Sequence, residues 1–314
     1  MNVRFSNGET IEDIPFYDGY YVKTDEPIVV AYPGYPHVAI AFASGGSMWD
    51  RLGIAEGDSA EISIRQRNKY RTIQENFSAV YSDNRNDYRD DTTFANFRSL
   101  SGGNIRPDTF FRGASPINNE HKRAGTVDKL IRAEGIQFDM NLSDSAEEVQ
   151  SFIKIDSGAE TYLFTELLKK GQAELLNLTA AYRSKEFAAT LVNGLKEMMK
   201  AEGPYYIHCI EGKDRTGFVC LLLESLCGAD YDELKNDYML TYENYYGISK
   251  EKTPERYDAF VKLKLNDILE FFADTEDEAT LLTADYYHCA RRYLESGGMS
   301  SEEIDALERF LIVG

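Results

Sequence analysis

The chain has 314 residues, enough for one large domain or two ordinary ones, and 43% are hydrophobic, so a substantial core can form. Its formal charge of −19, with no Lys/Arg-rich run, argues against nucleic-acid binding and against docking on anionic lipid. Cys209, Cys220, Cys227 and Cys289 are too few for a disulfide framework, and no Cys-x-x-Cys or spaced histidine pair suggests a metal or other cofactor. The polar stretch 1–11 lacks a signal-peptide core, and no run reaches transmembrane length. The expectation is a cytoplasmic chain with free thiols and no stable membrane insertion, secreted only if a leader has been removed.

In chain order, residues 20–22, 27–32 and 37–42 are rich in β-formers and separated by Gly/Pro/Asp clusters. Residues 53–58 read as a tight turn feeding a strand over 60–64, and 69–81 reads as a helix of mixed polarity. A small antiparallel sheet or barrel is the natural arrangement for this part. Residues 81–91, Tyr-Ser-Asp-Asn-Arg-Asn-Asp-Tyr-Arg-Asp-Asp, are dense in carboxylates. An EF-hand fails there, because Arg85 stands where an oxygen donor belongs and no glycine makes the turn; a solvated linker is the plainer reading. The expected division is therefore a β-rich accessory domain over 1–92 and a second domain over 93–314.

From about residue 95 the texture becomes α/β. Residues 121–134 are helix-like and stop at Gly135, and 136–142 alternate as a strand. Ser184 caps a helix whose Phe187, Leu191, Leu195 and Met198 share one face. A short strand over 205–207 then meets the segment His208-Cys209-Ile210-Glu211-Gly212-Lys213-Asp214-Arg215-Thr216-Gly217, followed by the almost wholly apolar helix 218–226. The C-terminal third is helical, its last helix opening with the capping-box pattern Ser300-Ser301-Glu302-Glu303.

Strand, tight loop and buried helix form the frame in which a helix N-terminus becomes an anion site. The N–H groups of Ile210, Glu211, Gly212, Lys213 and Thr216 are expected to form a nest around phosphate oxygens, with Gly212 permitting the bend. Cys209 at the bottom of that positive cup is favoured as the thiolate, the form that attacks phosphorus. Arg215 presents a planar fork to two equatorial oxygens and needs no metal to supply the charge. Asp214 is placed to protonate the leaving oxygen, since a neighbouring thiolate and phosphate dianion favour its neutral form. Thr216 faces the thiolate, Lys213 adds a second cation at the rim, and His208 holds the loop by hydrogen bonds. Six fixed residue types make chance occurrence on the order of one in a hundred thousand.

The loop resembles that of the bacterial tyrosine-phosphatase family with the His-Cys-x-x-Gly-Lys-Asp-Arg-Thr-Gly signature, within the protein-tyrosine-phosphatase superfamily. Asn96-Phe97-Arg98-Ser99-Leu100-Ser101-Gly102, Phe110-Phe111-Arg112-Gly113 and Asp237-Tyr238-Met239-Leu240-Thr241 resemble further motifs of that family, so the likeness runs from about residue 95 to the end. It implies a protein-tyrosine-phosphatase-like α/β domain, a central sheet flanked by helices. It also implies Cys209 as nucleophile, Arg215 as phosphate clamp, the loop aspartate Asp214 as general acid and Lys213 as second cation. Arg112 and Arg98 are expected to support the loop. Asn141-Leu142-Ser143 departs from the family's Asp-Leu-Arg, with Asp144 near enough to stand in. The tyrosines at 238, 242, 245 and 246 recur at helical spacing and suit a core or a cleft wall. Cys220 and Cys227 read as packing groups rather than redox partners of Cys209.

The expected substrate is a phosphorylated protein or peptide. Lys213 leaves room for a phosphorylated small molecule or phosphoinositide, and a phosphate-binding pseudoenzyme is the alternative of another class.

Overall fold

The computed structural model describes residues 1–32, 36–43 and 48–312. The chain groups into two compact units, Met1–Val80 with Thr253–Asp267, and Tyr81–Lys252 with Ile268–Gly314. The first unit therefore ends before residue 92 and takes back a segment from far along the chain. Residues 81–91, read from sequence as a solvated linker, group with the second unit.

The first unit holds two three-stranded sheets. One is ordered β2-β1-β6, with β1 Asn2–Phe5 antiparallel to both β2 Thr10–Ile11 and β6 Ala60–Ser63. The other is ordered β3-β4-β5, with β3 Phe16–Tyr17 parallel to β4 Pro27–Val30, which is antiparallel to β5 Ala39–Phe42. Strand β4 is buried on both faces: Val29 joins Val3, Phe5 and Ile14, while Ile28 and Val30 join Tyr17, Val22 and Ala43.

Residues 20–22 form no strand; they lead into a turn in which Glu26 donates to the Lys23 carbonyl and Asp25 has φ +71°. Helices α1 Met48–Leu52 and α2 Arg71–Phe77 follow. The returning helix Pro254–Phe260 sets Phe260 against Phe77, ring centroids 4.7 Å apart. It also donates from Arg256 Nε to the Asn76 carbonyl at 2.9 Å.

The second unit is α/β around a five-stranded sheet ordered β10-β9-β11-β8-β7. Strands β8 Phe110–Gly113, β9 Phe138–Asn141, β10 Ala173–Leu175 and β11 Tyr205–His208 run parallel, and the short β7 Arg98–Ser99 is antiparallel to β8. In register, His208 stands between Gly113 and Asn141, so three strands end level at the carboxyl edge of the sheet. That edge is where open α/β sheets bind ligands.

Alternate residues of β11 serve opposite faces. Tyr206 packs with Phe97, Phe111, Val127, Ile131 and Leu167, which brings in helices α4 Ala124–Ala133 and α6 Leu163–Lys169. Tyr205 stacks on Phe110 at 5.0 Å and meets Phe310 at 5.1 Å. Helix α3 Asp91–Ala95 opens on an Asp90 cap, and α5 Ala146–Ile155 on a Ser145–Glu148 capping box. Ser184 caps α7 Lys185–Met198 by accepting from the Phe187 N–H at 3.1 Å.

The decisive element is α8 Asp214–Leu226. Every residue from Thr216 to Leu226 is buried, including the polar Thr216, Glu224 and Ser225, as a helix apolar on nearly all sides requires. Phe218 anchors it among Tyr182, Phe187 and Tyr293, with centroids 4.7, 5.7 and 5.0 Å away. Helix α9 Tyr231–Tyr246 begins with an Asp230–Glu233 capping box and ends at Gly247, φ +64°. The Ser300 capping box opens the last helix, Ser301–Leu311.

Candidate active site

Residues 209–213 connect the carboxyl end of β11 to the first turn of α8. Among the described residues, no protein acceptor takes the backbone N–H groups of residues 210–216; the first to be used is that of Gly217, which donates to the Lys213 carbonyl at 2.8 Å. The donors at a helix start point outward from the turn, and here the loop adds more of them beside the positive end of the helix dipole. Gly212 has φ +69°, and a Cβ there would stand 2.2 Å from the Gly113 carbonyl oxygen, so the position admits glycine alone. Cys209 is buried, Asp214 is exposed, and Arg215 is half-buried with Nη1 donating to the Leu178 carbonyl at 2.8 Å. One corner of the guanidinium is thus anchored to the chain after β10, leaving its other donors for a ligand.

The loop is held from beneath. Its Gly212 carbonyl accepts from Arg112 Nη2 at 2.9 Å and from Asn96 Nδ2 at 3.2 Å. Arg112, fully buried, also pairs with Asp237 Oδ2, while Arg98 reaches Asp237 Oδ1 at 2.7 Å and Asn96 Oδ1 at 2.7 Å. Burial opposes the charge of Asp237, but Arg112 and Arg98 outweigh it and hold the carboxyl below its ordinary range. Among the described residues, Arg98 hydrogen-bonds to none of the loop; its partners are Asp237, Asn96 and Thr241, one layer back.

His208 is fully buried, with Nε2 2.9 Å from Asp139 Oδ1 and Nδ1 3.2 Å from the Cys209 carbonyl. A carbonyl only accepts, so Nδ1 donates to it. Burial disfavours the imidazolium, yet Asp139 outweighs burial and raises the pKa of His208 above its ordinary value. Nδ1 thus carries its proton toward the Cys209 carbonyl and fixes the backbone there, while Nε2 and Asp139 face each other across a buried hydrogen bond.

At the rim, Glu211 and Lys213 pair at 3.1 Å, and Lys213 Nζ lies 3.4 Å from the Tyr246 hydroxyl and 3.8 Å from Asp214. Burial opposes both charges. Lys213 and the Tyr81 hydroxyl together pull the pKa of Glu211 below its usual value, and Asp214 and Glu211 raise that of Lys213. The Tyr245 hydroxyl donates to the Glu211 carbonyl at 2.6 Å. Thr216 Oγ1 is buried without a protein partner.

The sequence profile described as the tyrosine phosphatase family matches residues 91–313. The chain belongs to that family. Among curated proteins, the triple specificity protein phosphatase PtpB of Mycobacterium tuberculosis is 25% identical over 150 residues, covering 43% of this chain. The match spans 54% of that relative's own length, so the chain covers about half of the curated protein it resembles.

In this tyrosine phosphatase family member, the residues singled out in the sequence fall into three layers. Cys209, Ile210, Glu211, Gly212, Lys213, Asp214, Arg215 and Thr216 form one loop and helix start; His208 and Arg112 touch its backbone; Arg98 braces Arg112's partner. The Asn141-Leu142-Ser143 departure makes a local turn. Asn141 Oδ1 accepts from the Ser143 and Asp144 amides at 2.9 and 3.0 Å, and its Nδ2 donates to Asp144, which is buried. Burial pushes the thiols of Cys220 and Cys227 up to about 12, which keeps them protonated packing groups.

Sequence reasoning missed Tyr81, Asp83, His121 and Arg123. The Arg123 guanidinium lies 4.9 Å from the ring centroids of both Tyr81 and Tyr245. It also donates to Asp83 at 3.1 Å and to the Phe94 carbonyl at 2.9 Å. The sequence held no signal for this cluster, because the rings around Arg123 come from positions 81, 88, 94 and 245, far from it along the chain. The carboxylates of residues 81–91 are engaged: Asp83 with the distant Arg123 and His121, Asp87 with the Ser82 hydroxyl, Asp91 with Arg85, and Asp90 as the α3 cap.

Proposed function

We propose that this protein is a metal-independent phosphomonoester hydrolase acting through a phosphocysteine intermediate, with phosphorylated protein side chains as its substrates. The observation that carries the reading is the juxtaposition of Cys209, the uncommitted amides of residues 210–216 and Arg215 at the start of α8. Family membership and a relative named as a triple specificity protein phosphatase support a protein substrate.

In the first step the Cys209 thiolate attacks phosphorus in line, an S–P bond forms and the P–O bond to the leaving group breaks. Asp214 gives its proton to the departing oxygen. In the second step water attacks phosphorus, its proton passes to the Asp214 carboxylate, and the S–P bond breaks to release inorganic phosphate and thiolate. The amides and Arg215 stabilise the equatorial oxygens in both transition states. Thr216 Oγ1, buried and without a protein partner, is a donor for the returning thiolate.

The test is turnover of p-nitrophenyl phosphate and of a phosphotyrosine peptide, with EDTA present, by wild type and Cys209→Ser. Wild-type turnover should persist in EDTA and fall by roughly 10⁴-fold or more in the variant. Loss in EDTA would sink the metal-free mechanism, and equal rates in both proteins would leave a phosphate-binding pseudoenzyme as the answer.

A further inference from the structure

Between nucleophile and arginine the loop carries its own counter-ion. Glu211 Oε2 lies 3.1 Å from Lys213 Nζ, and Glu211 Oε1 accepts from the Tyr81 hydroxyl. Both ion-pair side chains are four-fifths or more covered, at 20% and 17% exposure. Tyr81 is itself fixed: its hydroxyl is 3.1 Å from His121 Nε2, and its ring stacks on Tyr245 at 5.1 Å. The Glu211 carboxylate thus has a partner on each oxygen, and its backbone carbonyl is tied to Tyr245.

Lys213 taken alone suits a substrate with a second phosphate, and the sequence invited that reading. The pair changes the balance. Drawing Lys213 onto a second phosphate strips Glu211 of its cation and sets a largely covered carboxylate beside an incoming dianion. Both effects disfavour the polyphosphorylated ligand, and neither acts on a substrate with one phosphate. Discrimination by a built-in repulsive group is a general device of specific sites.

We propose that Glu211 is a specificity-determining residue that reserves the loop for substrates carrying a single phosphate, with Tyr81 as its positioning residue. The inference rests on the phosphatase reading above and goes beyond it in naming the substrate class: phosphomonoesters, aryl or alkyl, without a second phosphate near the first.

The experiment compares kcat/KM for phenyl phosphate and 1,3-phenylene bisphosphate, both of which release a phenol, the second still bearing its other phosphate. The quantity read is the bisphosphate-to-monophosphate ratio, in which the statistical factor of two sites cancels between variants. Glu211→Gln should raise the ratio about three- to tenfold, chiefly through KM for the bisphosphate. Adding Lys213→Met to Glu211→Gln should return the ratio toward the wild-type value. Tyr81→Phe should shift it in the same direction as Glu211→Gln but by less.

A ratio unmoved in both Glu211→Gln and Tyr81→Phe overturns the proposal. If Glu211→Gln has lost all turnover, Tyr81→Phe decides alone: a raised ratio supports the proposal and an unchanged one overturns it. Phenyl phosphate turnover that survives Cys209→Ser condemns the underlying chemistry instead, so the two failures are told apart.

Discussion

Asp214 begins α8 with its carboxyl exposed, next to Arg215 and 3.8 Å from Lys213. A general acid matters in proportion to the basicity of the oxygen it protonates. Asp214→Asn should therefore slow phenyl phosphate by about 10²-fold or more and p-nitrophenyl phosphate, whose leaving group needs little protonation, far less. Comparing kcat for the two esters checks this; an equal loss on both would assign Asp214 a merely structural part.

Behind the loop, Glu224 presents a second titration. Burial pushes its carboxyl up to about 8, with the Asp237 carboxylate adding to the effect, while the amides of Gly102 and Ser101 pull the other way. Because the folded pKa lies above the unfolded value, the folded state binds the extra proton between the two. Stability is then fully present below about pH 4.5 and declines as pH rises toward about 8. Glu224→Gln should flatten that decline, measured as denaturation midpoint against pH.

At the scale of elements, the loop's shape depends on two supports from different sides. Arg112 reaches it from β8, and Asp237 on α9 holds Arg112 and Arg98 together. Asp237→Asn leaves two buried guanidinium groups short of a counter-charge. Breaking such a pair on one side costs about 3–5 kcal/mol, read from urea denaturation. Phe218→Ala in α8 opens a cavity among three aromatic rings and should cost a similar amount, about 3–5 kcal/mol.

The buried helix, its flanking strand and the capped helices were readable because their signals are local: an apolar run, a serine three residues before a glutamate, a glycine after a periodic stretch. Strand β8 was not readable as a strand, since Phe-Phe-Arg-Gly places a charge on a strand buried throughout and hides any alternation. The loop's chemistry was legible from one contiguous segment. Arg112 was expected as a support only through the family likeness, and the Tyr81 contact to Glu211 was not legible, because it spans a sequence distance for which no periodicity exists.

For the molecule as a whole, the first unit is discontinuous. Phe260 is buried against Phe77, Thr24 Oγ1 donates to Asp267 at 2.7 Å, and Lys264 Nζ donates to the Tyr20 carbonyl at 2.8 Å. Deleting residues 1–80 removes these partners and leaves residues 253–267 with an uncovered apolar face. Limited proteolysis of the truncated chain should show new cleavage within 253–267, which the full chain resists. A truncation meant to isolate the second unit would have to redesign that segment too.

Gly113 and Gly212 stand back to back, one closing a strand and the other bending the loop, with no room for a methyl group at Gly212. Neither can compensate for a change in the other, because both are already the smallest residue available. Saturation mutagenesis read out by turnover should find Gly212 closed to every substitution. One position earlier, Glu211 lies outside the left-handed region, and its carboxylate is met by side chains, Lys213 on one oxygen and Tyr81 on the other. If Glu211 sets which phosphoesters are accepted, as proposed above, substrate range would change by single steps at 211 while the backbone bend one residue away stayed fixed.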